Sequence, residues 1–233
     1  SGTTAIVGAL LDDDNGTSSG SAYLFDTTTG TQGAKLTASD AAANDYFGGS
    51  VGVSGTTAIV GAQYDDDNGS GSGSAYLFDT TTGTQIFKLT AGDGAANDGF
   101  GGSVAISGTT AIVGAGGDGD NGSGSGSAYL FDTSTGTQSA KLTASDGGEF
   151  DLFGRSVAIS GTTAIVGTSL GSAYLFDTTT GAQIFKLTAG DAVAGDWFGW
   201  SVAISGTTAI VGASQDDDNG TDSGSAYLFD TTT

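Results

Sequence analysis

One stretch recurs along the chain: SGTTAIVG followed by GSAYLFDT, beginning at Ser1, Ser54, Ser107, Ser160 and Ser205. Successive starts lie 53, 53, 53 and 45 residues apart. A period of this size belongs to stacked or radial units, none of which buries its apolar face alone. The period overrides a domain count from the 233-residue length. It gives one repeat domain with units 1–53, 54–106, 107–159, 160–204 and a partial 205–233.

Each unit carries four strand-like segments, seen in FGGSVAIS (Phe100–Ser107), TTAIVGA (Thr109–Ala115), GSAYLFDT (Gly126–Thr133) and TQIFKLTA (Thr84–Ala91). All are short, rich in β-branched or aromatic residues, and bordered by Gly, Asn or Asp. No stretch repeats apolar residues at the spacing of a useful helix, so the chain is expected to be all-β. The first–second connection is SGT, and the third–fourth is DTTTG, where Asp79 is placed to cap the turn and Gly83 to take positive φ. The other two connections are acidic. In an antiparallel meander alternate connections share an end, so the two acidic connections are expected together. Four-stranded units at this period predict a β-propeller; a β-coil solenoid would have shorter coils and fewer turns. Tyr/Phe pairs at i, i+2, such as Tyr76/Phe78, fall on one face of the third strand, where packing between blades accounts for them. Five second and third strands stand against four first and four fourth strands, so both terminal blades are expected to be incomplete. Further sequence or another copy would then complete them, and the open edges invite association with other chains or with itself.

Composition narrows function. Twenty-six acids against five bases (Lys35, Lys88, Lys141, Arg155, Lys186) give a formal charge of −21. Nucleic acid is excluded by that balance, because binding phosphates needs a basic surface. Cations are favoured instead, or a salty exterior that screens the self-repulsion. With no Cys and no His, there is no disulfide, thiolate nucleophile or imidazole base, and no enzyme is expected. No apolar run reaches the roughly 20 residues of a membrane span, so membrane insertion is not expected.

The segments FGGSVAIS and GTTAIVGA resemble the FG-GAP repeat family, the blades of integrin α-subunit propellers and of many bacterial and algal surface proteins. Phe100–Gly101 is similar to the family's FG, and Val113–Gly114–Ala115 to its GA(P), with Pro absent throughout. The pattern LTASD…FGxSVAISG…AIVGA…DDDNG…GSAY is most like the family's microbial branch. The resemblance implies a propeller with an extracellular or cell-surface location and a role in adhesion or ligand binding. Integrin-type repeats carry a DxDxDG calcium loop between the first and second strands. Here that connection is SGTT, so the family's calcium site does not transfer.

The strongest candidate site is the acidic second–third connection, DDDNG at Asp12–Gly16, Asp65–Gly69 and Asp216–Gly220, and DGDNG at Asp118–Gly122. The third copy keeps its outer acids and loses the middle one, so the outer pair is expected to face a common point. The candidate ligands are Asp12, Asp14 and Asn15; Asp65, Asp67 and Asn68; Asp118, Asp120 and Asn121; and Asp216, Asp218 and Asn219. Carboxylate, amide and loop carbonyl oxygens suit Ca²⁺. A solvated hairpin tip with an Asn-Gly turn explains the same residues equally well. The fourth unit lacks this loop. A second cluster precedes each first strand, where Asp45, Asp98, Asp151 and Asp196 stand two residues before Phe47, Phe100, Phe153 and Phe198. These join the candidate ligands because their connection shares an end with the loops; their plainer role is to accept amide hydrogens and pin the inner strand. Trp197 and Trp200 interrupt the repeat, either to stack on a surface glycan or to pack where the fourth loop is missing. Sequence alone therefore points to a structural or adhesive propeller, with a lectin or a fibre segment as alternatives.

Overall fold

The computed structural model describes residues 2–193 and 195–232. Its strands form five antiparallel sheets in chain order. The first holds β1 (Thr4–Ala9), β2 (Ser21–Asp26) and β3 (Gln32–Leu36). The second holds β4 (Ser50–Ser54), β5 (Thr57–Ala62), β6 (Ser74–Asp79) and β7 (Gln85–Leu89). The third holds β8 (Ser103–Ser107), β9 (Thr110–Ala115), β10 (Ser127–Asp132) and β11 (Thr137–Leu142). The fourth holds β12 (Ser156–Ser160), β13 (Thr163–Gly167), β14 (Ala173–Asp177) and β15 (Gln183–Leu187). The fifth holds β16 (Phe198–Ser205), β17 (Thr208–Ala213) and β18 (Ser225–Asp230).

These are propeller blades. Each is a meander, and first strands β4, β8, β12 and β16 lie side by side as the innermost layer. Serines tie that layer together: Gly108, Gly161 and Gly206 donate their amides to the hydroxyls of Ser54, Ser107 and Ser160 of the preceding blade, at 3.0, 3.1 and 3.1 Å. Among the described residues the first and last blades have three strands each, without an inner and an outer strand respectively. The turns follow the local chemistry. Asp79 Oδ1 accepts the amides of Thr81 and Thr82 at 2.8 and 2.9 Å, and Gly83 takes φ 72°.

In the second to fourth blades the inner ladder starts at Ser50, Ser103 and Ser156, three residues later than the sequence suggests. The cause is the FG glycine. Gly101, at φ 90°, turns the chain and donates its amide to the carbonyl of Gly114 in its own blade at 3.0 Å. Its carbonyl oxygen lies so close to Gly61 of the preceding blade that a Cβ there would overlap it. Gly8 meets Gly48, Gly114 meets Gly154 and Gly167 meets Gly199 in the same way. The FG and GA glycines are thus two halves of one contact between blades. At Gly212 a Cβ would instead meet mainly the Ser201 hydroxyl. Gly61→Ala is accordingly expected to cost about 2–3 kcal/mol by overpacking, and Gly212→Ala about 0.5 kcal/mol. Urea unfolding of the two variants checks this, and equal losses would refute it.

Four apolar cores lie between consecutive blades. In the second, Ile59, Leu77 and Leu89 of one blade meet Phe100, Val104, Val113, Tyr129 and Phe131 of the next. Tyr129 and Phe131 meet Phe100 edge to face at 5.6 and 5.8 Å. The same face of the fifth blade, which no following blade covers among the described residues, leaves Leu228 72% exposed, whereas Leu77, Leu130 and Leu175 are fully buried.

Candidate functional site

The acidic connections do share one end. Each DDDNG loop is built by its own side chains. In the second blade Asp65 Oδ1 accepts the Asp67 amide (3.1 Å), Asp66 Oδ1 accepts the Gly71 amide (2.7 Å), and the Asn68 amide donates to Ser72 Oγ (3.1 Å). The middle acid therefore fastens the loop, and its loss in the third copy leaves the outer pair in place. Gly73, at the loop's end, bridges to Phe100 of the next blade.

The outer acids converge, and what they converge on is a lysine. Lys88 Nζ donates to Asp65 Oδ2 at 3.0 Å and to Asp40 Oδ2 at 2.7 Å, and it also pairs with Asp67. Tyr76 Oη donates to Asp65 Oδ2 (2.8 Å) and Asp40 Oδ1 (3.0 Å), with the ammonium 5.2 Å above its ring. The third blade repeats this: Lys141 meets Asp93, Asp118 and Asp120 at 2.8, 3.0 and 2.6 Å. In the first blade Lys35 meets Asp12 at 3.1 Å and also Asp14. In the fourth, which lacks the loop, Lys186 keeps Asp146 at 2.6 Å, joined by Tyr174 at 2.8 Å. Strand register causes the convergence, because Lys88 lies opposite Tyr76 and Lys141 opposite Tyr129 on neighbouring strands.

The remaining candidates stand elsewhere. Asp45, Asp98, Asp151 and Asp196 each accept an amide three residues back, from Ala42, Ala95, Gly148 and Val193 at 2.7 Å, closing the turn before the inner strand. Asn15, Asn68 and Asn219 engage through their backbone amides, on Ser19, Ser72 and Ser223. Asn121 holds the matching place in the third loop. The lysines were missed in the sequence, although all four occupy one position of the fourth strand. The first–second connection of the second blade is only Gly55–Thr56, so no acid stands where integrin-type repeats carry their calcium loop.

Two carboxylate trios, Asp40/Asp65/Asp67 and Asp93/Asp118/Asp120, bring one oxygen each to within 4.8 Å of the others. That donor set could hold a metal ion, but the lysine ammonium already engages the same oxygens. A divalent ion in these trios must displace it.

Burial alone would push Asp118 up; hydrogen bonds from Tyr129, the Asp120 amide and Lys141 outweigh it and hold the carboxyl below its ordinary 3.8. Lys141 also loses by burial, yet Asp120, Asp93 and Asp118 hold it above 10.5. The lowered acid contributes stability above its ordinary value that is lost as pH falls through the folded value. The raised base contributes below 10.5 and loses this as pH rises through its folded value. The pair is therefore intact across neutral pH. Asp45 and Asp98, raised by burial despite their amide bonds, act with the opposite sign and cost stability as they ionise.

Arg155, the remaining base, lies on a cavity of about 470 Å³ with Gln63, Asn97, Ser156 and Trp200. Its guanidinium sits 3.4 Å from the Trp200 ring centroid, and Trp197 stacks on Trp200 at 4.5 Å. Two groups this close cannot share a face, so both faces of Trp200 are taken.

A family model for the FG-GAP repeat matches residues 1–25, 31–78, 84–131, 137–176 and 182–229. The chain belongs to the FG-GAP repeat family. Its signature glycines are those that join the blades. Among solved structures it is similar to the computationally designed Ika8 protein (crystal packing No. 1 in P63), with 14% identity and a TM-score of 0.60, covering 99% of this chain and 56% of that one. It is also similar to the computationally designed Ika4 protein, with 13% identity and a TM-score of 0.54, covering 84% of this chain and 94% of that one. At these identities the likeness concerns fold alone. The chain spans little more than half the length of Ika8. No curated protein matches.

Proposed function

We propose that this FG-GAP chain is an extracellular structural or adhesive module, its acidic end braced by lysines and open to divalent cations. The observation that carries this reading is the repeated lysine–tyrosine–aspartate cluster at one end of a family propeller. It spends the acids on holding connections together rather than on chemistry. A glycosidase needs a carboxylic acid whose pKa is raised; here the raised Asp45 and Asp98 are taken up in accepting the Ala42 and Ala95 amides that close a turn, and the buried Asp118 is held low. The module is accordingly proposed not to be an enzyme. Trp200 has no free face for a sugar, which favours protein partners over surface glycans. Among the described residues no helix is long and apolar enough to cross a membrane. Protease treatment of intact source cells is expected to remove the protein; protection until lysis would overturn the extracellular reading.

Calcium is expected to act through the exposed members of the trios, in competition with lysine. Ligand binding to the folded state alone adds RT ln(1 + [L]/Kd), about 2.7 kcal/mol at a hundredfold excess, and extracellular modules bind at about 10⁻⁴–10⁻³ M. Melting with millimolar calcium should therefore exceed melting with chelator at matched ionic strength. If the two curves coincide, the acidic end is braced by lysine alone and the calcium part of the proposal fails.

A further inference from the structure

Four of the five bases are lysines held by aspartates, and the fifth, Arg155, has no carboxylate or hydrogen-bond partner for its guanidinium among the described residues. Burial alone acts on its pKa, downward, with no acid to offset it. The cavity of about 470 Å³ that it lines is an electrostatic exception in this chain. Gln63, Asn97, Leu152, Ser156 and Trp200 supply the other side chains of the wall and the rest is glycine, so none of the 26 acids lines it. The side-chain amides of Gln63 and Asn97 also lack a hydrogen-bond partner among the described residues. At 3.4 Å from the Trp200 centroid the guanidinium plane lies parallel to the ring, and its N–H groups point outward along that plane.

The repeat itself marks this place. SVAIS recurs letter for letter at Ser103–Ser107, Ser156–Ser160 and Ser201–Ser205, because the inner strand needs it. The residue after FG, by contrast, is Gly49, Gly102, Arg155 and Trp200 in turn, and the residue before it is Tyr46, Gly99, Leu152 and Trp197. Folding does not dictate these two positions, and they line the cavity: the glycines of the third blade open the space, and the larger residues of the next two blades wall it. At Gly116 an added Cβ would come within 3.8 Å of the Arg155 backbone, so the space narrows with any side chain there. A second cavity of about 250 Å³ shares Gln63 and Gly102 with the first and is lined by Leu10, Tyr46 and Tyr64. Leu10 and Tyr64 are exposed, and Tyr46 meets Tyr64 edge to face at 5.3 Å. A cationic cavity and an apolar one thus adjoin at the acidic end of the blades.

We infer that the Arg155 cavity binds a carboxylate presented by a protein segment, whose neighbouring apolar side chain enters the Leu10/Tyr46/Tyr64 cavity. Arginine offers a carboxylate two parallel N–H groups, and Trp200 fixes the plane of that fork beforehand, so less freedom is lost on binding. The Gln63 and Asn97 amides hydrogen-bond the peptide groups of the segment. The chain's charge of −21 repels anions at a distance, but salt near 0.1 M screens this beyond about 10 Å. With no acid in the wall, the contact is decided by the arginine. This inference rests on the preference for protein partners in the functional reading and names the chemistry of the partner.

The test titrates the chain, in chelator, with the peptide acetyl-Phe-Gly-Gly-Glu-amide, whose glycines let the two anchors find their spacing. Trp197 and Trp200 are the chain's two tryptophans and both belong to the stack beneath Arg155, so intrinsic fluorescence reads this site. One-to-one binding with a change in that emission is expected. Replacing the peptide glutamate by glutamine should weaken binding roughly ten- to a hundredfold, the range for hydrogen bonds to a charged group, and replacing its phenylalanine by glycine should weaken it about tenfold. In Arg155→Gln the glutamate and glutamine peptides should bind alike, which assigns the difference to that one contact. Equal affinity of the two peptides for the unaltered chain, absence of binding at millimolar peptide, or binding that leaves the tryptophan emission unchanged would each overturn the inference. Because that comparison varies only the peptide, misfolding of a variant cannot mimic the result. Equal affinity for acetate would reduce the site to an anion trap and overturn it too. Tighter binding of methyl glucuronoside would overturn both this inference and the preference for protein partners, whereas failure of every probe leaves the extracellular reading to its own protease test.

Discussion

Phe100→Ala is expected to destabilise the protein by about 3–5 kcal/mol. Phe100 is fully enclosed, edge-on to Tyr129 and Phe131, and packed on Ile59, Leu77 and Leu89 of the preceding blade. Its removal opens a cavity that the inner layer cannot close, because Gly101 is fixed against both Gly61 and Gly114. Leu228→Ala, at the uncovered face, removes comparable apolar bulk and should change stability by no more than about 0.5 kcal/mol. Repeat proteins lose cooperativity between units, so hydrogen exchange is the better readout. Protection should fall first in β5, β6, β8 and β9, the strands on either side of the damaged core. Equal effects of the two substitutions would show that the cores between blades are not what holds the blades together.

Lys88→Met should cost about 3–4 kcal/mol, near the lower end for breaking a buried ion pair. Asp65 is buried beneath the ammonium, whereas Asp40 and Asp67 remain in contact with water and lose less. The methionine keeps most of the apolar stem against the Tyr76 ring, so the loss reports the charge rather than the packing. In a domain of this size the melting point should fall by roughly 6–16 °C. The variant also frees the Asp40/Asp65/Asp67 trio, so calcium should raise its melting point more than that of the unaltered chain. Lys186→Met, which leaves only Asp146 without its partner, should cost about 1 kcal/mol. If Lys88→Met melts with the unaltered chain, the lysines are bystanders of an acidic surface.

Much of the fold was legible in the sequence because a repeat states its own alignment. Period, β-branched runs and Gly, Asn and Asp borders located every strand to within a few residues, and the unequal strand counts announced two three-stranded blades. The ladder start was misplaced at Phe47, Phe100 and Phe153. A glycine's positive φ leaves no mark in hydropathy, and the reason for it, a carbonyl of one blade lying on a glycine of the previous one, joins residues such as Gly61 and Gly101 from different repeats.

The site was legible by halves. Loss of the middle acid in the third copy alone pointed to a shared place for the outer aspartates, because that is a property of one loop. What occupies the point was decided by tertiary structure alone. Lys88 is 23 residues from Asp65 and 48 from Asp40, and only the antiparallel register that sets it opposite Tyr76 brings it to both. Local sequence dictated the strands, turns and loop shapes, since these depend on neighbours along the chain. The pairing of acids with lysines depends on which strands lie side by side.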